Sequence, residues 1–255
     1  MESVTAHVFP STDPEEPMYT VYETDVSSLI SALLFSRNYR QRLEELPLNP
    51  ISLQPTDSNI LMGMNSPDDS TITVDWKGHS AWGSQKHHMT CTAYFPSQFT
   101  WLRHSAGIDE LDFRRCLARC HSWDAKGGNS NSKFAKTMNG RFVLKQVQPV
   151  ELDSFLAFAP KYFEYFSKVY FKQISSAIAK IVGIYSCSTR RGIKADYIIL
   201  EDVFYKSHIT KVFDLKGSLR SRYAKQDNPK DDVVFLDQNL LESRCYSLAT
   251  ILTTR

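Results

Sequence analysis

The 255 residues contain no run of roughly 20 apolar side chains, so no segment reads as a membrane-spanning helix. The start lacks a basic stretch followed by an apolar core, which argues against a secretory leader and for the cytosolic side. Cysteine is scarce: Cys91, Cys116, Cys120, Cys187 and Cys245 are an odd number and widely spread, as free thiols in a reducing compartment would be. Cys116, Cys120 and His121 cluster, but the CxxC pairs that zinc favours are missing. Buried thiols sharing a helix face are the preferred reading there. There is no G-x4-G-K-[ST] loop and no internal repeat. None of the standard nucleic-acid motifs appears, and the basic run 211–225 offers little beyond Tyr223 for stacking, so nucleic acid is not an expected partner.

What is present is an uneven charge. Residues 1–75 hold 12 acidic and 3 basic side chains, whereas the remainder holds 27 basic and 16 acidic. A basic body behind an acidic arm suggests an anionic partner for the body.

Residues 1–20 are rich in proline, acid and Ser/Thr and are expected to be disordered. Residues 21–48 read as an amphipathic helical segment, with Asp25 as N-cap and Val26, Leu29, Ile30, Leu33 and Leu34 on one face. That helix should pack on something else. Residues 49–70 read as a linker, and a compact domain spans 71–242. Within it, 71–76 and 89–95 alternate like strands, and 96–107 and 109–120 read as helices ended by Gly107 and capped by Asp109. The stretches SKFAKT and RFVLKQ form a hairpin over Asn139-Gly140, for which a type I′ turn is expected. Residues 150–171 are mostly helical, with a break or kink near Pro160. Strands follow in KIVGIYS, DYIILED, HITKVFD and VVFLD.

Four stretches carry chemistry. WDAKGGNSNSKF precedes the hairpin, and its backbone amides could face phosphate oxygens, since glycine permits close approach. Lys145 ends the apolar FVLK strand, where an ammonium needs an anion nearby, and Glu151 or Asp153 on the next helix could supply it. YIILEDVFY is an apolar strand leaving into polar residues. FDLKGSLRSRYAK gathers Asp214, Lys216, Arg220, Arg222 and Lys225 and could hold several phosphates. Each alone has an ordinary reading: a plain turn, a core strand, a solvated basic loop.

Taken together with SFLAFAPKYFEYFSK and AIAKIVGIY, these stretches resemble the phosphatidylinositol phosphate kinase family, most of all its phosphatidylinositol 3-phosphate 5-kinase (PIKfyve-like) branch. The resemblance runs from about Tyr22 to Glu242, and the D-L-K-G-S motif is matched in full. It implies an α+β fold: a protein-kinase-like N-lobe with an antiparallel sheet and an incomplete C-lobe. It also implies ATP and Mg2+ as cofactors, and transfer of a phosphoryl group to the 5-hydroxyl of phosphatidylinositol 3-phosphate. The implied setting is cytoplasmic and peripheral, on the anionic surface of endosomal or vacuolar membranes, with regulatory protein subunits as further partners.

By the same resemblance, Gly127, Gly128, Ser130, Ser132 and Phe134 match the phosphate-covering loop and Lys145 the phosphate lysine, with Glu151 as its helix partner and Asp153 as the alternative. Leu200, Glu201 and Val203 match the nucleotide hinge, and Asp214 and Lys216 the catalytic motif. The reading requires Lys145 and Lys216 to converge on one polyanion. Asn129 and Asn131 depart from the family's Gly-Lys-Ser-Gly-Ser, and Asp202 from its Glu-Asn hinge. After VVFLDQNLLE the family continues to an M-D-Y-S-L-L catalytic loop and an I-D magnesium motif. Residues 243–255 read SRCYSLATILTTR instead, which is expected to be a truncated or aberrant end. The 255 residues alone are therefore expected to be nearly inactive. The alternative is a non-catalytic nucleotide- or membrane-binding module.

Overall fold

The computed structural model describes residues 6–9, 19–22, 26–46, 71–80, 83–123, 132–189, 194–226 and 233–243. Strands β1 (Ala6–Phe9) and β2 (Tyr19–Tyr22) pair antiparallel, so a strand occupies part of the stretch expected to be disordered. Helices α1 (Val26–Phe35) and α2 (Arg37–Glu45) follow, then β3 (Thr71–Ser80), β4 (Gly83–Tyr94), α3 (Pro96–Ser105) and α4 (Glu110–Leu117). Next come β5 (Cys120–Ser122), β6 (Phe134–Thr137), β7 (Phe142–Val147), α5 (Pro149–Phe171), β8 (Ile181–Thr189) and β9 (Lys194–Glu201). The short strands β10 (Val212–Phe213) and β11 (Val234–Phe235) pair parallel to each other, and α6 (Asp237–Glu242) closes the described chain. Strands β3-β4-β8-β9-β7-β6-β5 form one seven-stranded sheet in that order, with every neighbouring pair antiparallel. This is the α+β, kinase-like architecture that the motifs imply.

Successive strand residues point to opposite faces, and the two faces are covered differently. Phe142 and Leu144 of β7, Ile199 of β9 and Cys187 of β8 lie in one core with α1, α2 and α4. Val147 and Ile184 lie in the other, with Phe99 and Leu102 of α3 and Phe155, Phe163 and Phe166 of α5. Lys145 alternates with Leu144 and so stands on the α5 side.

Several expectations change. Helix α1 is buried on all sides rather than amphipathic: Ser27, Ser28 and Ser31 are as covered as Leu29 and Leu33. A helix apolar or small all round belongs inside a core, and Ser31 satisfies its hydroxyl by donating to the Arg114 carbonyl at 2.9 Å. The proposed cap Asp25 lies outside the described residues. Asp109 does cap α4, its Oδ1 accepting from the Asp112 amide at 2.8 Å. Helix α5 runs unbroken through Pro160, whose side chain is exposed, so water can serve the backbone groups the ring leaves unpaired. The hairpin turn is not type I′. Only Gly140 has a positive φ (+73°), and its amide donates to the Thr137 carbonyl at 2.8 Å. Asn139 works through its side chain, whose Oδ1 accepts from Thr137 Oγ1 and the Arg141 amide. Cys116 ends up on α4 and Cys120 on β5, so they share no helix face; both are half-buried rather than buried.

Beneath the sheet, the Arg103 guanidinium is almost wholly buried. It donates to Glu110 Oε2 at 3.1 Å, to Thr100 Oγ1 at 3.0 Å and to the Val182 carbonyl at 2.7 Å. Val182 lies at an irregularity in the β8–β9 register between Ile181 and Gly183. A Cβ on Gly183 would come 2.7 Å from the Tyr185 ring, and that ring is buried and cannot swing aside. Gly183→Ala is therefore expected to cost about 1–3 kcal/mol through overpacking, read as a lower urea midpoint.

Candidate functional site

Strand β7 runs into α5 through Gln148, and Pro149 starts the helix. This places Glu151 in the first helical turn, back over the strand end. Lys145 Nζ donates to Glu151 Oε1 at 2.8 Å, while Glu151 Oε2 accepts from the Gln148 amide at 2.9 Å. The Lys145 ammonium, and then that amide, hold the Glu151 carboxyl below its ordinary value. Both side chains are partly exposed, so the pair adds little stability; its effect is to fix where the ammonium sits. Asp153, the alternative partner, is exposed.

Lys145 has Phe134 opposite it on β6 and Ile198 opposite it on β9. Val143, opposite Lys136 and Leu200, stands on the same face. That face thus presents aliphatic and aromatic surface with two ammonium groups, one of them unforeseen. Alternation along FAKT was the signal that could have found Lys136, since it shares a face with Phe134. Gly127, Gly128 and Ser130 lie outside the described residues; Ser132 is described and half-buried.

The stretch expected to form the hinge leaves β9 at Glu201, whose carboxylate sits 3.0 Å from Lys180 and 3.9 Å from Arg141. The Asp202 amide then donates to the Arg141 carbonyl at 2.8 Å. From there the chain turns: the Tyr205 amide donates to the Asp202 carbonyl at 3.0 Å, and Val203 and Phe204 are exposed.

The second group is the D-L-K-G-S loop after β10. The Asp214 amide donates to the Phe235 carbonyl at 2.8 Å, which extends the β10–β11 pairing. Gly217 has φ +72°, a conformation glycine adopts without strain. The loop closes on Asp237, which accepts from the amides of Lys216 (3.0 Å) and Gly217 (2.8 Å) and from Arg222 Nε (2.8 Å). Arg222 also donates to the Asp214 carbonyl and lies 3.4 Å from its carboxylate, while Lys216 Nζ is 3.0 Å from Asp214 Oδ1. Asp237 was missed from sequence. It sits far along the chain, and only the fold brings it under the motif.

Arg222, aided by the two amides, holds Asp237 at about 2, below its ordinary 3.8. Lys216 and Arg222 likewise lower Asp214. For a carboxyl depressed by folding, the stabilisation is complete above its unfolded value and is lost as pH falls through its folded one. The loop is thus expected to stay closed down to about pH 4 and to open between 3.8 and about 2. Amide exchange of Lys216 and Gly217, corrected for intrinsic rates, should rise across that interval and not above it.

Among the described residues no group of three or more His, Cys, Asp or Glu side chains could hold a metal ion. At the expected cysteine cluster, Asn139 Nδ2 donates to Cys116 Sγ at 2.9 Å instead. No helix among the described residues is long and apolar enough to cross a membrane.

The family profile described as Phosphatidylinositol-4-phosphate 5-Kinase matches residues 117–250. The chain is 34% identical over 260 residues to the putative 1-phosphatidylinositol-3-phosphate 5-kinase FAB1C of Arabidopsis thaliana, covering 88% of this chain and 16% of that one. It is 40% identical over 166 residues to the 1-phosphatidylinositol-3-phosphate 5-kinase FAB1A of the same plant, covering 63% and 9%. Against the human 1-phosphatidylinositol 3-phosphate 5-kinase it is 39% identical over 160 residues, covering 60% and 8%. The chain thus spans less than a fifth of the length of these relatives.

Proposed function

The chain belongs to the phosphatidylinositol-4-phosphate 5-kinase family, and from that premise we propose that it is the nucleotide-binding part of an ATP-dependent kinase acting on the 5-hydroxyl of phosphatidylinositol 3-phosphate. The observation that carries the reading is the Lys145–Glu151 pair at 2.8 Å, set on the same sheet face as Val143 and beside the strand that leads into the hinge. The ammonium keeps protons free for phosphate oxygens, so these residues fit the polyphosphate of ATP. The lipid assignment rests on the relatives' names.

In this reading the kinase domain spans 71–242, with α1 and α2 as its buttress. Residues 127–132, with Gly127, Gly128, Ser130 and Ser132, cover the phosphates, and Phe134 closes one side. Lys145 holds the phosphates, oriented by Glu151. Leu200, Glu201 and Val203 receive the base through main-chain atoms. Asp214 and Lys216 meet the phosphates from the opposite wall, and the two lysines converge on one polyanion. Phosphoryl transfer depends on positioning and on neutralising charge, and these cations supply both. Magnesium is a different matter: the carboxylates of Asp214 and Asp237 are already paired with Lys216 and Arg222, so no magnesium ligand is assigned among the described residues.

The 255 residues contain neither an M-D-Y-S-L-L loop nor an I-D pair after Glu242. On their own they should bind nucleotide and turn over little lipid. The basic loop favours a peripheral position on an anionic endosomal or vacuolar surface, where regulatory subunits could also engage it. The test has two arms: a rise in Tm with ATP, and radiolabel transfer to phosphatidylinositol 3-phosphate vesicles. No rise with ATP would remove the nucleotide reading, and robust turnover would remove the claim of inactivity.

A further inference from the structure

We propose that Lys136 is a positioning residue for the nucleotide: it holds the hinge turn in place through Asp202. The proposal rests on the nucleotide-binding reading above, which concerns Lys145 and the phosphates; Lys136 acts on the base end of the same site.

Lys136 stands on β6 opposite Val143, on the face that carries Lys145. Its Nζ lies 2.5 Å from Asp202 Oδ2, with the Asp202 side chain only 9% exposed. Every polar atom of Asp202 is committed. Its amide donates to the Arg141 carbonyl, its carbonyl accepts from the Tyr205 amide, and its Oδ1 accepts from the Phe204 amide. Asp202 therefore templates the 202–205 turn, and Lys136 is the cation that neutralises its carboxylate. The ammonium also lies 5.3 Å from the centre of the Trp123 ring, which meets Phe134 edge-on at 5.9 Å. Lys136 thus joins the outer edge of the sheet to the hinge across β7, the strand that bears Lys145.

A nearly buried carboxylate left without its cation must take up water or a proton. Either would release the Phe204 amide and loosen the turn that follows Glu201 and contains Val203. The phosphate end would be untouched, because Lys145 keeps Glu151. The two lysines are therefore separable by ligand. Losing Lys136 should weaken every ligand that carries the base, whereas losing Lys145 should weaken only those that carry phosphates.

The experiment uses the 255-residue chain, with ATP and adenosine as probes and Lys136→Gln, Lys136→Arg and Lys145→Met as variants. Lys136→Gln is expected to weaken ATP and adenosine by the same factor, about tenfold each. Lys136→Arg should recover most of that loss, and Lys145→Met should weaken ATP alone. Without any ligand, amide exchange at 203–205 should be about tenfold faster in Lys136→Gln and near wild type in Lys136→Arg. A Lys136→Asp, Asp202→Lys exchange that restores slow exchange would support the pairing directly. The proposal is overturned if exchange at 203–205 is unchanged in Lys136→Gln, or if that variant weakens ATP while sparing adenosine. If the wild type binds neither probe, the nucleotide reading fails, and the ligand-free exchange still decides whether Lys136 holds the turn.

Discussion

Replacing Glu110 by alanine is expected to destabilise the fold by about 3–5 kcal/mol, because it strands a buried cation. Arg103 is 1% exposed. Among the described residues, its guanidinium has Glu110 as its one carboxylate partner and also meets the Thr100 hydroxyl, the Val182 carbonyl and the face of Phe113 at 4.5 Å. Those neutral groups satisfy hydrogen bonds and leave the charge uncompensated. A loss of that size is a large fraction of the stability of a domain this size, so urea unfolding should show a strongly lowered midpoint or no folded baseline. The double replacement Arg103→Met with Glu110→Leu removes both charges and should lose far less, since a buried ion pair often stabilises no better than an apolar pair of similar volume. If Glu110→Ala alone unfolds at the wild-type midpoint, Arg103 must reach water in solution.

Lys145→Met is expected to leave the fold intact and to remove half or more of the stabilisation by ATP. The Lys145–Glu151 pair is part-exposed, 27% and 40% at its two side chains, and pairs of that kind contribute at most about 1 kcal/mol. A charge-assisted hydrogen bond to phosphate is worth about 1.5–3 kcal/mol, which corresponds to about 10- to 150-fold in affinity. Since ATP at about 100 times its Kd stabilises by about 2.7 kcal/mol, such a drop would remove from about half to about nine-tenths of the ATP-dependent stabilisation, with a matching fall in the Tm shift. Circular dichroism should be unchanged. Glu151→Gln should fall between wild type and Lys145→Met, because the ammonium stays but loses its anchor. An undiminished ATP shift in Lys145→Met would show that the phosphates bind elsewhere.

Much of this was legible because it is local. The FVLK strand, the Pro149 helix start and the spacing from Lys145 to Glu151 lie within ten consecutive residues, so strand alternation and one helical turn were enough to bring lysine and carboxylate together. The Asp109 cap was legible for the same reason. Local signals misled where a neighbour decided the outcome. Asn139 looked like a type I′ turn residue, but its side chain bonds Thr137 and Arg141 instead. Of the break or kink expected at Pro160, the break does not occur: α5 continues through it, with Phe155 before it and Phe163 and Phe166 after it in the core. Helix α1 looked amphipathic because its serines count as polar, yet they are buried.

The sequence by itself carried the family resemblance through its motifs, and it brought Lys145 to Glu151, because the strand alternation and the single helical turn that join them are written in contiguous residues. Only the tertiary structure decided what holds those parts still. Asp237 reaches back 20 residues to the Gly217 amide. Lys136 crosses the sheet to Asp202, and Arg103 reaches Val182 at a sheet irregularity. Each is a charge or carbonyl drawn from water by packing, and its partner is whichever opposite group the fold brings within hydrogen-bond reach.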